Sequence, residues 1–199
     1  NLSTNTYEVI FKFKIDLATI ISRMSNLTRR LLRKDIRYAY KIDESNLVLV
    51  RDKIIYRLNT KSRQIESGVS LPRGSRPLNM TKVHSLKGFS NGIYFGEYFI
   101  NPKKASVKIF RYINDELIEV YTFPQGRINH IHNIIEDTNN DCLWILTGDV
   151  GESVGIYKAQ NNFKSMELIV SGDQKFRSCV AFPIKGGIIY ATDSQYAQN

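Results

Sequence analysis

Short apolar runs broken by polar turns fill this chain, and along most of them apolar and polar positions alternate instead of recurring at helical spacing. Runs rich in β-branched and aromatic residues, bounded by Gly, Asn, Asp, Pro and Ser, read as strands. The pattern predicts strands over Lys82–Leu86, Gly92–Glu97, Ser106–Tyr112 and Leu117–Phe123, then over His130–Glu136, Cys142–Thr147, Val154–Lys158 and Met166–Val170. A tighter set occupies roughly Ile36–Leu71, with Asp52-Lys53 as a two-residue turn. These runs are too short for helices, which excludes a solenoid of helix pairs.

The sets are copies of one another. Ile55-Tyr56-Arg57, Ile109-Phe110-Arg111 and Ile156-Tyr157-Lys158 all read Ile-aromatic-basic. Each follows an apolar run that leads to an acid: Leu47–Val50 to Asp52, Ile93–Gly96 to Glu97, Leu143–Leu146 to Asp149. A further copy, Ile188–Ala191, leads to Asp193. Four strands in a unit of roughly 45 residues is the signature of a β-propeller blade. The expected fold is therefore all-β, a propeller of four-stranded antiparallel blades occupying residues 36–199. About three and a half blades are visible, and closure ordinarily takes at least four. The chain is thus expected to be part of a longer, six- or seven-bladed propeller, with closure of four blades through Tyr7–Lys14 as the lesser reading.

Residues 1–35 break the pattern. Tyr7–Lys14 reads as a lead-in strand, while Asp16–Lys34 places Leu17, Ile20, Ile21, Met24, Leu27 and Leu31 at helical spacing behind a potential Asp16 N-cap. This connector ends in Arg29, Arg30, Arg33, Lys34 and Arg37, a large part of the net charge of +9. Such a run can dock an anionic surface, but a solvated face is the expectation. Nucleic acid is not expected, because the aromatics lie inside strands and are not interleaved with the basic residues.

Composition adds little. No run approaches the roughly 18 apolar residues of a membrane span, and no signal-peptide pattern is visible. Cys142 and Cys179 fall in different units and read as two buried thiols, which leans the expectation to a reducing, cytoplasmic compartment. Phosphate loops and HExxH motifs are absent, so P-loop NTPases, kinases, dinucleotide binders and zincins find no support.

Propeller geometry places the residues before each first strand, and those ending each second strand, around one mouth of the central channel. Arg76, Arg127 and Arg177 precede successive first strands; Glu97, Asp149 and Asp193 end second strands; His130 and His132 share a face of one first strand. Guanidinium groups there can bind a carboxylate or phosphate bidentately. The acids can take sugar hydroxyls or move protons, which makes Glu97, Asp149 and Asp193 candidate catalytic residues. The competing reading is a structural network in which the acids cap turns and pair with the arginines. His130-x-His132 has metal-ligand spacing but no third ligand evident from the sequence, so neither a metal nor another cofactor is expected.

Ser75-Arg76-Pro77-Leu78, Gly92-Ile93-Tyr94-Phe95-Gly96-Glu97-Tyr98-Phe99, Thr122-Phe123-Pro124, His130-Ile131-His132, Leu143–Asp149 and Thr192-Asp193 together resemble a group of uncharacterised bacterial sialidase-like (BNR-type) propeller proteins. The resemblance covers about Arg29 to Asn199 and implies a six- or seven-bladed propeller without an established reaction. Sialidase Asp boxes, Ser/Thr-x-Asp-x-Gly-x-x-Trp, are degenerate here: Arg111–Glu116 and Lys158–Phe163 stand in their places. Arg76, Arg127 and Arg177 can imitate the sialidase arginine triad, but no Tyr/Glu pair matches the nucleophile motif, and Tyr94 reads as core. Two functions follow as expectations. One is binding or glycoside hydrolase-like processing of an acidic carbohydrate at the channel mouth, by Arg76, Arg127, Arg177, His130 and His132 with the three acids. The other is a non-catalytic scaffold that binds a protein through its rim loops.

Overall fold

A computed structural model of the protein describes residues 8–32 and 34–196. Tyr7, Arg33 and the last three residues, which figure in the expectations above, lie outside them. The chain divides into two compact units, Asn1–Leu71 and Pro72–Asn199.

In the first unit, β1 (Tyr38–Lys41), β2 (Asn46–Arg51), β3 (Ile54–Asn59) and β4 (Gln64–Ser70) form an antiparallel sheet in chain order. Asp52 and Lys53 make the expected two-residue turn, both with positive φ, and Arg51 faces Ile54 across it. That left-handed pair matches the strand twist of a tight hairpin. The connector forms two short helices, α1 (Leu17–Ser22) and α2 (Asn26–Leu32), and Asp16 caps α1 by accepting a 2.7 Å hydrogen bond from the Thr19 amide. Residues 8–14 are not a strand. Phe13 packs edge-on to Phe11 and Tyr56 and lies under the Arg51 guanidinium at 4.6 Å, so ring contacts hold this segment instead of a hydrogen-bonded ladder.

The second unit contains β5 (Thr81–Val83), β6 (Gly92–Gly96), β7 (Val107–Ile113) and β8 (Glu116–Phe123) as one antiparallel sheet. A second sheet follows, made of β9 (His130–Asp137), β10 (Cys142–Gly148), β11 (Gly155–Gln160) and β12 (Ser165–Ser171). β13 (Ser178–Ile184) and β14 (Gly187–Thr192) pair alone. β5 ends three residues earlier than expected because Ser85 takes a positive φ and its amide bonds to the Asn91 side chain.

Every residue of β10 is buried. Successive side chains of a strand point to opposite faces. Leu143 and Ile145 therefore enter one core with Tyr94, Ile109, Phe123, Ile131 and Phe163, while Cys142, Trp144 and Leu146 enter another with Ile156 and Ala181. The sheet β9–β12 is thus packed on both faces, by β5–β8 and by β13–β14. The outermost fourth strands β4 and β12 alternate, over most of their length, between exposed and half-buried residues. The chain is all-β in its sheets, built of four-stranded antiparallel meanders. Among the described residues, no helix is long and apolar enough to cross a membrane.

Candidate functional site

β9 is the pivot of the second unit, touching β5 and β6 on one side and β13 on the other. Its first residues are polar yet buried. His130 and His132 are two apart on one strand, and their Nε2 atoms lie 3.1 Å from each other. Asp149, just past the end of β10, brings Oδ1 to 3.2 Å from His130 Nε2 and 3.5 Å from His132 Nε2. Arg177, at the entry to β13, adds Nη2 at 3.6 Å from the same oxygen, and its Nε is 3.3 Å from Asp193 Oδ1 beyond β14. The Cys179 thiol donates to Asp193 Oδ2 at 3.0 Å.

Close packing shapes this cluster. A Cβ on Gly148 would lie 2.3 Å from His132 Cε1, so only glycine leaves room for the imidazole. Tyr98 sets its ring edge-on to His130, with centroids 4.4 Å apart. The Asn129 side chain accepts the Asp149 amide, and Gln174 donates to the Asp149 carbonyl. Asn133 reaches across from β9 to the Cys179 carbonyl. Asn129, Gln174 and Cys179 carry no motif, and only the fold reveals them, with Tyr98, as neighbours of the site.

The electrostatics follow from burial and neighbours. Burial pushes the His130 pKa below the usual histidine range, against the opposing charge of Asp149, so its neutral form is favoured. The Asp149 carboxyl is held below the usual carboxylate range, first by its hydrogen bond with His132 and then by the charges of His130, His132 and Arg177. The Cys179 thiol is pushed up to about 12 by burial, with the Asp193 carboxylate adding to it. It is therefore a hydrogen-bond donor and no nucleophile at neutral pH.

Not all the expected site residues join the cluster. His130, His132, Asp149, Arg177 and Asp193 do. Glu97 is buried in a bidentate pair with Arg73, whose Nε donates to Oε1 at 2.8 Å, while the Lys108 amide donates to Oε2 at 2.8 Å. A buried carboxylate deprived of such a partner costs about 3–5 kcal/mol, so Glu97 is committed to that pair. Arg127 is exposed and stands over the Tyr157 ring at 5.9 Å. Arg76 is half-buried in the connection between β4 and β5. Tyr94, fully buried, gives its hydroxyl to the Ser90 carbonyl and is core. His84 is exposed.

The spacing of the sequence left the histidine pair without a third metal-ligand candidate, and the fold supplies one. His130, His132 and Asp149 lie close enough to share an ion, and His132 also lies close to Cys179 and Asp193.

No protein-family model matches the chain, and no curated protein matches it. Among solved structures it is similar to Kluyveromyces lactis Hsv2, with 16% identity and a TM-score of 0.39. The match covers 76% of this chain and 39% of that one.

Proposed function

We propose that this chain contributes blades to a β-propeller and binds an acidic carbohydrate at the cluster centred on Asp149. The observation that carries the site is the meeting of His130 and His132 of β9 and Arg177 before β13 within 3.6 Å of one Asp149 oxygen. The meander sheets and the two-sided packing of β9–β12 support the propeller. The sialidase-like motifs point the same way and would set six or seven blades for the whole. In this reading Arg177 meets the ligand carboxylate, Asp149 and Asp193 accept hydroxyl protons, and His130 and His132 complete the hydrogen bonding. With Arg127 exposed over the Tyr157 ring and Glu97 held by Arg73, the receptor centres on Arg177 with two acids.

In this reading Asp149 is not placed as a general acid. A glycosidase general acid needs a raised pKa, whereas that of Asp149 is lowered by its partners. A second reading, the non-catalytic scaffold that binds a protein, gains support from the Arg73–Glu97 pair and from Arg177 bridging Asp149 and Asp193, which is how a structural network would look.

Thermal unfolding against a panel of acidic and neutral sugars separates the two, with Arg177→Ala alongside. A ligand that binds only the native state raises the midpoint with concentration. We expect acidic sugars to raise it in the wild type and not in the variant. No shift with any sugar, together with a less stable variant, would replace the carbohydrate reading with the scaffold.

A further inference from the structure

We propose that His130 Nε2, His132 Nε2 and Asp149 Oδ1 form a three-ligand site for a divalent transition-metal cation of the zinc class. The three atoms make a nearly equilateral triangle with edges of 3.1, 3.2 and 3.5 Å. A tetrahedral ion with bonds of about 2.0–2.1 Å holds its ligand atoms about 3.3–3.4 Å apart. An ion just above the triangle would bond all three atoms with shifts of a few tenths of an ångström. Two imidazoles and one carboxylate, with a position left open, is a familiar zinc donor set.

Hydrogen bonding orients the ligands as metal ligation requires. His132 Nδ1 lies 3.0 Å from the Ser178 carbonyl oxygen and donates its proton there, which leaves the Nε2 lone pair facing the triangle. His130 Nδ1 is buried beside the Phe99 main chain without a well-formed hydrogen bond. A proton there, with the Phe99 carbonyl as its acceptor, is what a metal-bound Nε2 would require.

One cation above the triangle would meet all three atoms. It also answers the local charge, since Asp149 and Asp193 share the one guanidinium of Arg177. Cys179 is excluded from the primary set because its thiol is already given to Asp193.

The inference goes beyond the carbohydrate reading and stands on the triangle alone. It also gives that reading a second positive centre for an acidic ligand, beside an arginine whose charge is already shared.

The test uses tag-free, chelator-treated protein titrated with zinc by calorimetry and with cobalt(II) in the visible range. Expected are one bound equivalent and the d–d absorption of a low-coordinate nitrogen–oxygen site, with no thiolate-to-cobalt band. Cys179→Ser should bind like the wild type. His132→Gln and Asp149→Asn should each weaken binding at least about tenfold, as even losses outside the ligand set do. Asp149 is half-exposed and the amide keeps its shape, so this variant reads binding even if His132→Gln fails to fold. The proposal is overturned by no saturable binding in the wild type, by unchanged affinity in Asp149→Asn, or by a thiolate band that Cys179→Ser removes. No sugar enters the measurement, so its failure and that of the carbohydrate reading are separate results.

Discussion

Asp137, the last residue of β9, has no solvent exposure, yet its pKa lies below the usual carboxylate range. Burial alone would push it up; hydrogen bonds from Trp144 Nε1 at 2.9 Å, Asn140 Nδ2 at 2.8 Å and the Asn139 and Asn140 amides outweigh that. Asp137→Ala leaves those buried donors unmet, and we expect a loss of about 2–4 kcal/mol in chemical denaturation. The sign of the pH dependence follows. A folded pKa below the unfolded one makes a contribution that is full above about pH 4 and is lost as pH falls through the folded value. Thermal midpoints taken from neutral pH downward should therefore converge for wild type and variant at the acid end. A constant gap would remove the carboxylate from the account. Residues of this kind divide what the sequence could tell. That His130, His132, Asp149, Arg177 and Asp193 are neighbours was legible because register within repeated units places them together. The Asp137–Trp144 bond was not, because the expected acid–tryptophan box lay between third and fourth strands, and this contact closes the hairpin of the first and second. Glu97 was misplaced for a related reason: its position is register-equivalent to Asp149, but Arg73 lies in an irregular segment that no period locates.

The strands were legible because apolar alternation and turn residues agree. The phrase Ile-aromatic-basic marks β3, β7 and β11, and each of these strands shifts register by a bulge against its outer neighbour. A bulge bends a strand and increases its twist, so the recurring phrase marks where the outer strand turns away from the sheet. The connecting turns are left-handed at Asp52-Lys53 and again at Asn114-Asp115. Such backbone suits glycine and costs an L-residue roughly 1–2 kcal/mol. Lys53 has φ 66 and an exposed side chain. Lys53→Gly removes that strain but frees the unfolded chain, and we expect a net gain of about 0.5–1 kcal/mol in denaturation midpoints. A loss would mean that the turn relaxes without cost. Elements were misjudged where tertiary contacts overrode pattern, as in residues 8–14, which ring packing holds, and at Ser85, where a side-chain hydrogen bond ends β5 early.

At the scale of the molecule, the sheet β9–β12 is covered on both faces, and among the described residues β13–β14 is covered on one face only. Ala181, Ile188 and Tyr190 pack towards Trp144 and Leu146. On the opposite face Phe182 and Ile189, register partners, are 67% and 61% exposed, with Val180 and Ile184 beside them at 44% and 42%. A contiguous apolar face of this kind is uncommon in a soluble protein and marks a packing surface; in the propeller proposed above, the next blade covers it. The chain should accordingly bind a hydrophobic dye, and Phe182→Lys with Ile189→Lys should lower that fluorescence strongly. Substitutions on an exposed face change stability by no more than about 0.5 kcal/mol each, so the thermal midpoint should hardly move. If the dye signal persists in the double variant, the exposed apolar surface lies elsewhere, with Leu17, Met24, Leu27 and Leu31 of the helical connector as the place to look. If the double variant instead unfolds early, the face is already covered in solution by a partner surface.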